Sequence, residues 1–288
     1  MRKYLIILLL AISVFLIFVS RSLAQKKDMI WLNADLPPYV ILNNPYKGQG
    51  SIDYMQKLVK DSLIEYKHIS MVANSKRVFH ELKRRDMIAY ASALKTKERE
   101  YNVIFSIPYI LGFPNAILIQ KTKLKYFKTY INNGVFLLDK AIKEKDYKLG
   151  ISVGRVYGGV IDKILSKYKG NKNIKVYYDN ISRKHINELL VGNIDYVIGY
   201  PSEMTYFLKK LKKKESVIAI PIKGMPPHLL GYFAFSKTKW GEKIVMKTNI
   251  ILKKHRNTKV FHDSNEYWLD ERSKKLYRKY IKEFYKNK

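Results

Sequence analysis

The sequence predicts an α/β protein of two lobes, each an open sheet flanked by helices, with a discontinuous first lobe and two crossings between them. Two observations carry this expectation. Short apolar runs alternate with amphipathic runs from residue 147 onward, at the spacing that builds parallel βαβ units. Residues 110–112, bracketed by Pro108 and Pro114, and residues 223–228, with Gly224 and Pro226-Pro227, read as the two passages from one lobe to the other. A strand at 231–236 and helices at 241–252 and 273–286 follow the second passage and return the chain to the first lobe. The 288 residues are enough for two modest lobes, each with its own core. The boundaries expected are 25–110 with 229–288 for the first lobe and 111–228 for the second, hinge segments included.

The opening segment reads as targeting rather than fold. Arg2 and Lys3 precede an apolar run at 4–19, and Ser22 and Ala24 supply small residues where a signal peptidase reads them. A cleaved signal peptide at 1–24 and an uncleaved amino-terminal anchor are the two readings, and either one exports the rest of the chain. Residues 29–34 then form an apolar strand that stops at Pro37-Pro38, where two backbone donors are missing. The turn-rich stretch 43–51 leads into a helix at 52–62, with Ser51 as its expected cap. Residues 66–72 read as a strand, and Asn74 or Ser75 caps the next helix. That helix, 78–86, is amphipathic with Val78, Phe79 and Leu82 on one side, and a strand at 87–91 follows.

In the second half, 115–120 and 147–153 read as strands and 124–128 as a basic linker. The glycine loop 154–159 and the helix start at 160–167 together form an anion-friendly nest, because free amides and the helix dipole point outward. Strand and helix then repeat at 174–178, 182–191, 196–199, 202–211 and 217–221.

Composition narrows the function classes. The formal charge of +31 comes from lysines scattered along the chain, densest at 209–214, and reads as a solvated basic surface. No nucleic-acid partner is expected, and membrane contact is confined to an uncleaved leader or to charge attraction. The absence of cysteine excludes disulfides, thiolate catalysis, cysteine–zinc sites and a lipidated cysteine. The six histidines share no metal-ligand spacing, and neither a Walker loop nor a Gly-x-Ser-x-Gly elbow occurs. His262, Asp263 and Glu266 form a tight polar cluster that reads as a late surface loop. The chain is therefore expected to be no enzyme and to carry no cofactor or metal.

The site is organised by residues 91–109, ASALKTKEREYNVIFSIPY. Ser92, Thr96 and Arg99 stand on a polar loop outside the carboxyl end of a strand, where open α/β sheets bind ligands. Two hydroxyls and a guanidinium suit a small anion. The Thr-x-x-Arg of Thr96 and Arg99, followed by Phe105-Ser106-x-Pro108-Tyr109, resembles the signature of bacterial family 3 extracellular solute-binding proteins. Pro37-Pro38-Tyr39 and Gly48-x-Gly50-x-x-Asp53 resemble the same family's amino-terminal pattern, so the likeness runs from about Trp31 to the end. It implies the type II periplasmic-binding-protein fold and reversible capture of a small, anionic or amino-acid-like ligand between the lobes, for transport or sensing. A periplasmic location, a monomer, and an ABC-transporter permease or a sensor as partner are implied with it.

The resemblance also implies roles. Arg99 would grip a ligand carboxylate bidentately, the alternative being a surface pair with Glu98 or Glu100. Thr96 and Ser92 would add hydroxyls or else only shape the loop. Aligned on Pro37-Pro38, Asn33 stands at the family's acidic position and Leu36 at its aromatic one, with Asp35 and Tyr39 as the candidate substitutes. Arg155 and Tyr157 would close onto the ligand from the second lobe, the alternative being a solvated loop. Gly192-Asn193-Ile194-Asp195 matches a structural Gly-x-x-Asp pattern. Five residues further on, amino-acid receptors present Asp to the ligand's ammonium, whereas this chain has Tyr200. Glu203 is the candidate replacement from the following helix. Leu94, where Ser or Thr is common, is a second departure. Together with the charge, these departures support a rival class: a basic exported protein of the cell wall or membrane with a degenerate ligand pocket.

Overall fold

The structure of the chain, a computed structural model, describes residues 26–144, 147–152, 155–177, 182–213 and 216–286. The leader, Val153 and Gly154 of the expected strand and glycine nest, Tyr178 and Lys214 lie outside the described residues. In chain order the elements begin β1 (Lys27–Asn33), α1 (Ser51–Ser62), β2 (Tyr66–Val72), α2 (Ser75–Arg84), β3 (Ile88–Leu94), α3 (Lys97–Glu100), β4 (Val103–Phe105) and β5 (Ile110–Gly112). Next come β6 (Ala116–Gln120), a 3-10 segment (Lys121–Tyr130), β7 (Ile131–Asn132), β8 (Val135–Phe136), α4 (Leu138–Glu144), β9 (Leu149–Ser152) and α5 (Gly159–Lys167). The sequence continues with β10 (Ile174–Tyr177), α6 (Ser182–Val191), β11 (Tyr196–Gly199), α7 (Pro201–Lys210) and β12 (Val217–Pro221). It closes with β13 (Leu229–Ser236), α8 (Lys239–His255), α9 (Lys259–Glu266) and α10 (Glu271–Lys286).

Two sheets define the two lobes. The first has six strands in the order β2-β1-β3-β13-β4, with β5 also paired to β13. The second has the order β10-β9-β11-β6-β12. β1, β2 and β3 are parallel, as βαβ connections require, and β13 enters antiparallel to β3. The chain leaves the first sheet after β5 and comes back through β13. These two strands pair with each other, Leu229 opposite Gly112 and Gly231 opposite Ile110. Residues 110–112, expected as the crossing itself, are thus a strand of the first sheet, and the passages follow β5 and precede β13.

Each sheet is covered on both faces, which is why its central strands are apolar throughout. Ile52, Met55 and Val59 of α1 recur at helical spacing and meet Ile244 and Leu252 of α8 and Phe261 of α9 over one face of the first sheet. Val78 and Leu82 of α2 cover the other. Gly50, not Ser51, caps α1: the Asp53 carboxylate accepts from the amides of Gly50 and Ile41, at 3.0 and 2.9 Å. A β-carbon on Gly50 would stand 2.1 Å from the Tyr39 carbonyl oxygen, so the strand-to-helix turn admits only glycine. Ser51 is buried instead, its hydroxyl donating to Asn265 of α9.

Two further expectations change in the structure. Residues 124–128 are no linker but part of the 3-10 segment, and Phe127 is wholly buried in the second lobe's core beside Tyr130 and Phe136. The lysines around it mask that one apolar anchor. The cluster of His262, Asp263 and Glu266 lies on helix α9, not on a loop. There His262 meets the Tyr277 hydroxyl at 3.0 Å, and Glu266 accepts from Arg278 at 2.6 Å. No helix among the described residues is long and apolar enough to cross a membrane.

Burial leaves a readable pH signature. It pushes the phenol of Tyr39 up to about 12 and that of Tyr285 up to about 12, and it raises those of Tyr109, Tyr196 and Tyr277 as well. Because the folded values exceed the unfolded one, the native state holds these protons longer. Their stabilisation is complete below about pH 10 and is lost as pH rises towards the folded values. Thermal unfolding should therefore stay flat up to about pH 10 and drop steeply above it, with the phenolate absorbance of these five rings, read by difference against their Tyr→Phe variants, appearing at the unfolding transition. Phenolate absorbance from these rings well before unfolding would contradict the burial.

Candidate ligand-binding site

A cleft of about 270 Å³ opens between the two sheets. Its floor is the paired hinge strands, contributing Ile110, Gly112, Leu229 and Gly231. The first lobe supplies Tyr90, Ser92 and Leu94 from one edge of β3, in the period of two that a strand imposes, together with Leu36 and Tyr39 from the loop after β1. The second lobe supplies Tyr200 and Glu203 from the start of α7, just beyond β11. Leu36 and Tyr39 follow β1, Ser92 and Leu94 end β3, and Tyr200 and Glu203 follow β11, so much of the wall is built at the carboxyl ends of strands, where ligands bind in open α/β sheets.

Arg99 enters from α3. One of its guanidinium nitrogens donates to the Leu94 carbonyl at 2.7 Å, and the group lies over the Phe79 ring with Cζ 3.9 Å from the centroid. Among the described residues no carboxylate forms an ion pair with it. Glu100, one of the two alternative partners considered from sequence, is held by Lys95 at 2.5 Å. Partial burial lowers the Arg99 pKa, opposed by nearby Tyr90 and Glu98. A guanidinium fixed on one edge and stacked on one face keeps its remaining N–H groups for a ligand.

The second lobe presents a different arrangement. Arg155 donates to Glu203 at 3.0 Å and to the Asn115 side chain at 3.4 Å, and it lies within 5.4 Å of the Tyr157 ring and 5.2 Å of the Tyr200 ring. Burial alone would lower the Arg155 pKa, but the Glu203 carboxylate more than offsets it and the value ends raised. Asn115 in turn donates to the Tyr157 carbonyl at 2.7 Å. Asn115 and the pairing of the two charged groups were not visible in the sequence, because the partners come from separate elements. Tyr157 itself is nearly wholly buried, its hydroxyl accepting from the Ser152 amide.

The other expected residues divide. Ser92, Tyr39 and Tyr200 line the cleft with Arg99. Thr96 is exposed and accepts from the Arg99 amide, the capping role. Asp35 pins its own loop, accepting from the Leu42 amide and the Asn43 side chain. Asn33 is buried, its amide donating to the Trp31 carbonyl at 3.4 Å. Thr96, Asp35, Asn33, Arg155 and Tyr157 do not line this cleft; Arg155 and Tyr157 stand behind its Glu203 and Tyr200 wall.

Tyr39 links the lobes, its hydroxyl accepting from Ser202 of α7 at 3.2 Å. Gly112 makes room: a β-carbon there would come within 2.9 Å of the Tyr39 hydroxyl. Gly112→Ala is expected to displace that hydroxyl and lose the bond, at about 1 kcal/mol. Ser202→Ala should cost a similar amount, and the double variant no more than the worse single one. Fully additive losses in denaturant titration would show that Gly112 does not act through Tyr39.

The architecture is that of two-lobed, type II periplasmic binding proteins. An ancestral cationic amino-acid solute-binding protein superposes with a TM-score of 0.63 at 16% identity, covering 85% of this chain and 96% of that one. An amino-acid ABC-transporter substrate-binding protein from Streptococcus pneumoniae, solved with L-arginine, gives 0.59 at 16% identity, covering 86% and 96%. A histidine kinase sensor domain with similarity to periplasmic binding proteins gives 0.56 at 13%, covering 85% and 96%. No protein-family model matches the chain. No curated protein matches it either.

Proposed function

We propose that this chain is an exported solute-binding protein that reversibly captures a small anionic solute between its two lobes, without chemical turnover. The observation that carries the reading is Arg99, fixed on the cleft wall by the Leu94 carbonyl and the Phe79 ring, with no carboxylate partner among the described residues. A charge placed there and left without a counter-ion suits a ligand that brings one. The paired strands β5 and β13 support a hinge, because two adjacent passages let the lobes rotate while the sheets stay intact. The family 3 resemblance of Thr96, Arg99 and their flanks agrees with this reading. The neighbouring structures include both a transporter's binding protein and a sensor domain, and either fate suits the captured solute.

The test is a thermal-shift screen over amino acids, organic acids and wall fragments, followed by calorimetry and small-angle scattering on each hit. Binding should be saturable, the solute should be recovered unaltered, and the particle should become more compact. A solute recovered chemically changed would overturn the reading. Silence across the screen, with salt-sensitive sedimentation on anionic vesicles, would favour the rival wall- or membrane-associated protein with a degenerate pocket.

A further inference from the structure

We infer that the captured solute is a carboxylate with an apolar body and no ammonium group, an inference that rests on the capture reading above. The charges facing the cleft are unequal. Arg99 has no acid partner among the described residues, whereas Glu203, the carboxylate on the opposite wall, already holds Arg155 at 3.0 Å. Both side chains of that pair are mostly buried, at 16% and 19% exposure, so the pair is a settled part of the wall rather than a loose surface contact. A ligand ammonium approaching Glu203 would have to share it with a guanidinium that also braces Asn115 and faces two tyrosine rings. The electrostatic demand of the cleft is thus for one negative charge, met at Arg99.

The rest of the wall sets the body of the ligand. The cleft that Arg99 enters is also lined by Phe79, Leu94, Leu36, Ile110, Phe113 and Leu229. Ser92, Tyr39, Tyr90 and Tyr200 line it too but add no positive or negative charge. A highly polar solute would leave much of its hydrogen-bonding capacity unmet against such a wall. An aryl or alkyl chain gains from burial there.

The experiment compares phenylpropanoate with L-phenylalanine on the full chain by calorimetry, since the pair differs only in the α-ammonium. Hexanoate and L-arginine serve as the apolar and polar extremes. Phenylpropanoate and hexanoate should bind, and phenylalanine should bind roughly tenfold or more weaker, the worth of one charged group stripped of water without a partner. A second arm uses Arg155→Gln, which removes the guanidinium that holds Glu203 and should move the preference towards phenylalanine by roughly tenfold. Tighter binding of phenylalanine or arginine to the wild-type protein would overturn the inference, and so would a folded Arg155→Gln variant with unchanged preference. Should that variant fail to fold, the wild-type comparison decides alone. If amino acids bind and Arg99→Ala abolishes that binding while carboxylates stay silent, only this inference falls. If the wider screen is silent as well, the capture reading falls with it.

Discussion

Arg99→Ala should lose about 2–5 kcal/mol of binding free energy, the cost of leaving a buried anion without its charged partner. The reasoning is geometric. The guanidinium already spends one donor on the Leu94 carbonyl and one face on Phe79, so its orientation is fixed before any ligand arrives. Pre-organisation of this kind lets the remaining donors form charge-assisted bonds with little further ordering. Lysine cannot reproduce it. Arg99→Lys keeps a positive charge but not the planar fork, and it should recover only part of the loss. Stability should change by about 1 kcal/mol at most, because the group lies on an open wall and its local contacts are a single hydrogen bond and one exposed stack. Calorimetric titration with phenylpropanoate, or with whichever solute the screen identifies, measures the first effect. Denaturant titration measures the second. Wild-type affinity in Arg99→Ala would remove the anion site from this cleft.

What the sequence revealed and what it concealed follow a physical line. β2, α6, β11 and β12 are where apolar periodicity places them, because each is a short run whose burial pattern is set locally. The 3-10 segment was missed for the opposite reason. Its one fully buried anchor, Phe127, is surrounded by lysines, and no short-range period marks a residue whose partners Phe136 and Tyr196 arrive later in the chain. The cleft follows the same rule. Ser92, Tyr39, Arg99 and Tyr200 stand at strand ends and were legible there. Phe79 read as one more apolar residue of an amphipathic helix, although its ring carries Arg99. Arg155 reads from sequence as closing onto the ligand from the second lobe, yet its side chain pairs with Glu203, 48 residues further on. Only the folded chain shows that the second lobe's charge is already matched. Sequence placed the groups, and tertiary pairing decided which of them stays available.

The largest loss of stability is expected from Trp268→Ala, about 3–5 kcal/mol for removing a large buried aromatic. Trp268 stands between α9 and α10 and is 1% exposed. Its indole meets Tyr46 edge-on at 5.3 Å and Tyr206 at 5.5 Å, and its N–H donates to the Gln49 carbonyl at 3.4 Å. Tyr46 and Gln49 belong to the loop before α1, whereas Tyr206 belongs to α7 of the second lobe. One side chain thus fills the gap between the two lobes away from the hinge strands. Neighbouring contacts act in the same direction. Lys209 of α7 donates to the Tyr267 carbonyl at 2.6 Å, and Arg272 reaches the carbonyls of Ala219 and Gly134, at 3.4 and 3.2 Å. The carboxyl-terminal helices therefore strap the second lobe to the first. Removing the indole should weaken the strap as well as the core, so the unliganded protein should also become more extended in small-angle scattering. Trp268→Phe keeps the ring contacts and loses only the N–H bond and part of the volume, so it should retain most of the stability. A loss below about 1 kcal/mol in Trp268→Ala, or an unchanged radius of gyration in a variant that has lost the full amount, would show that the strap does not hold the lobes together.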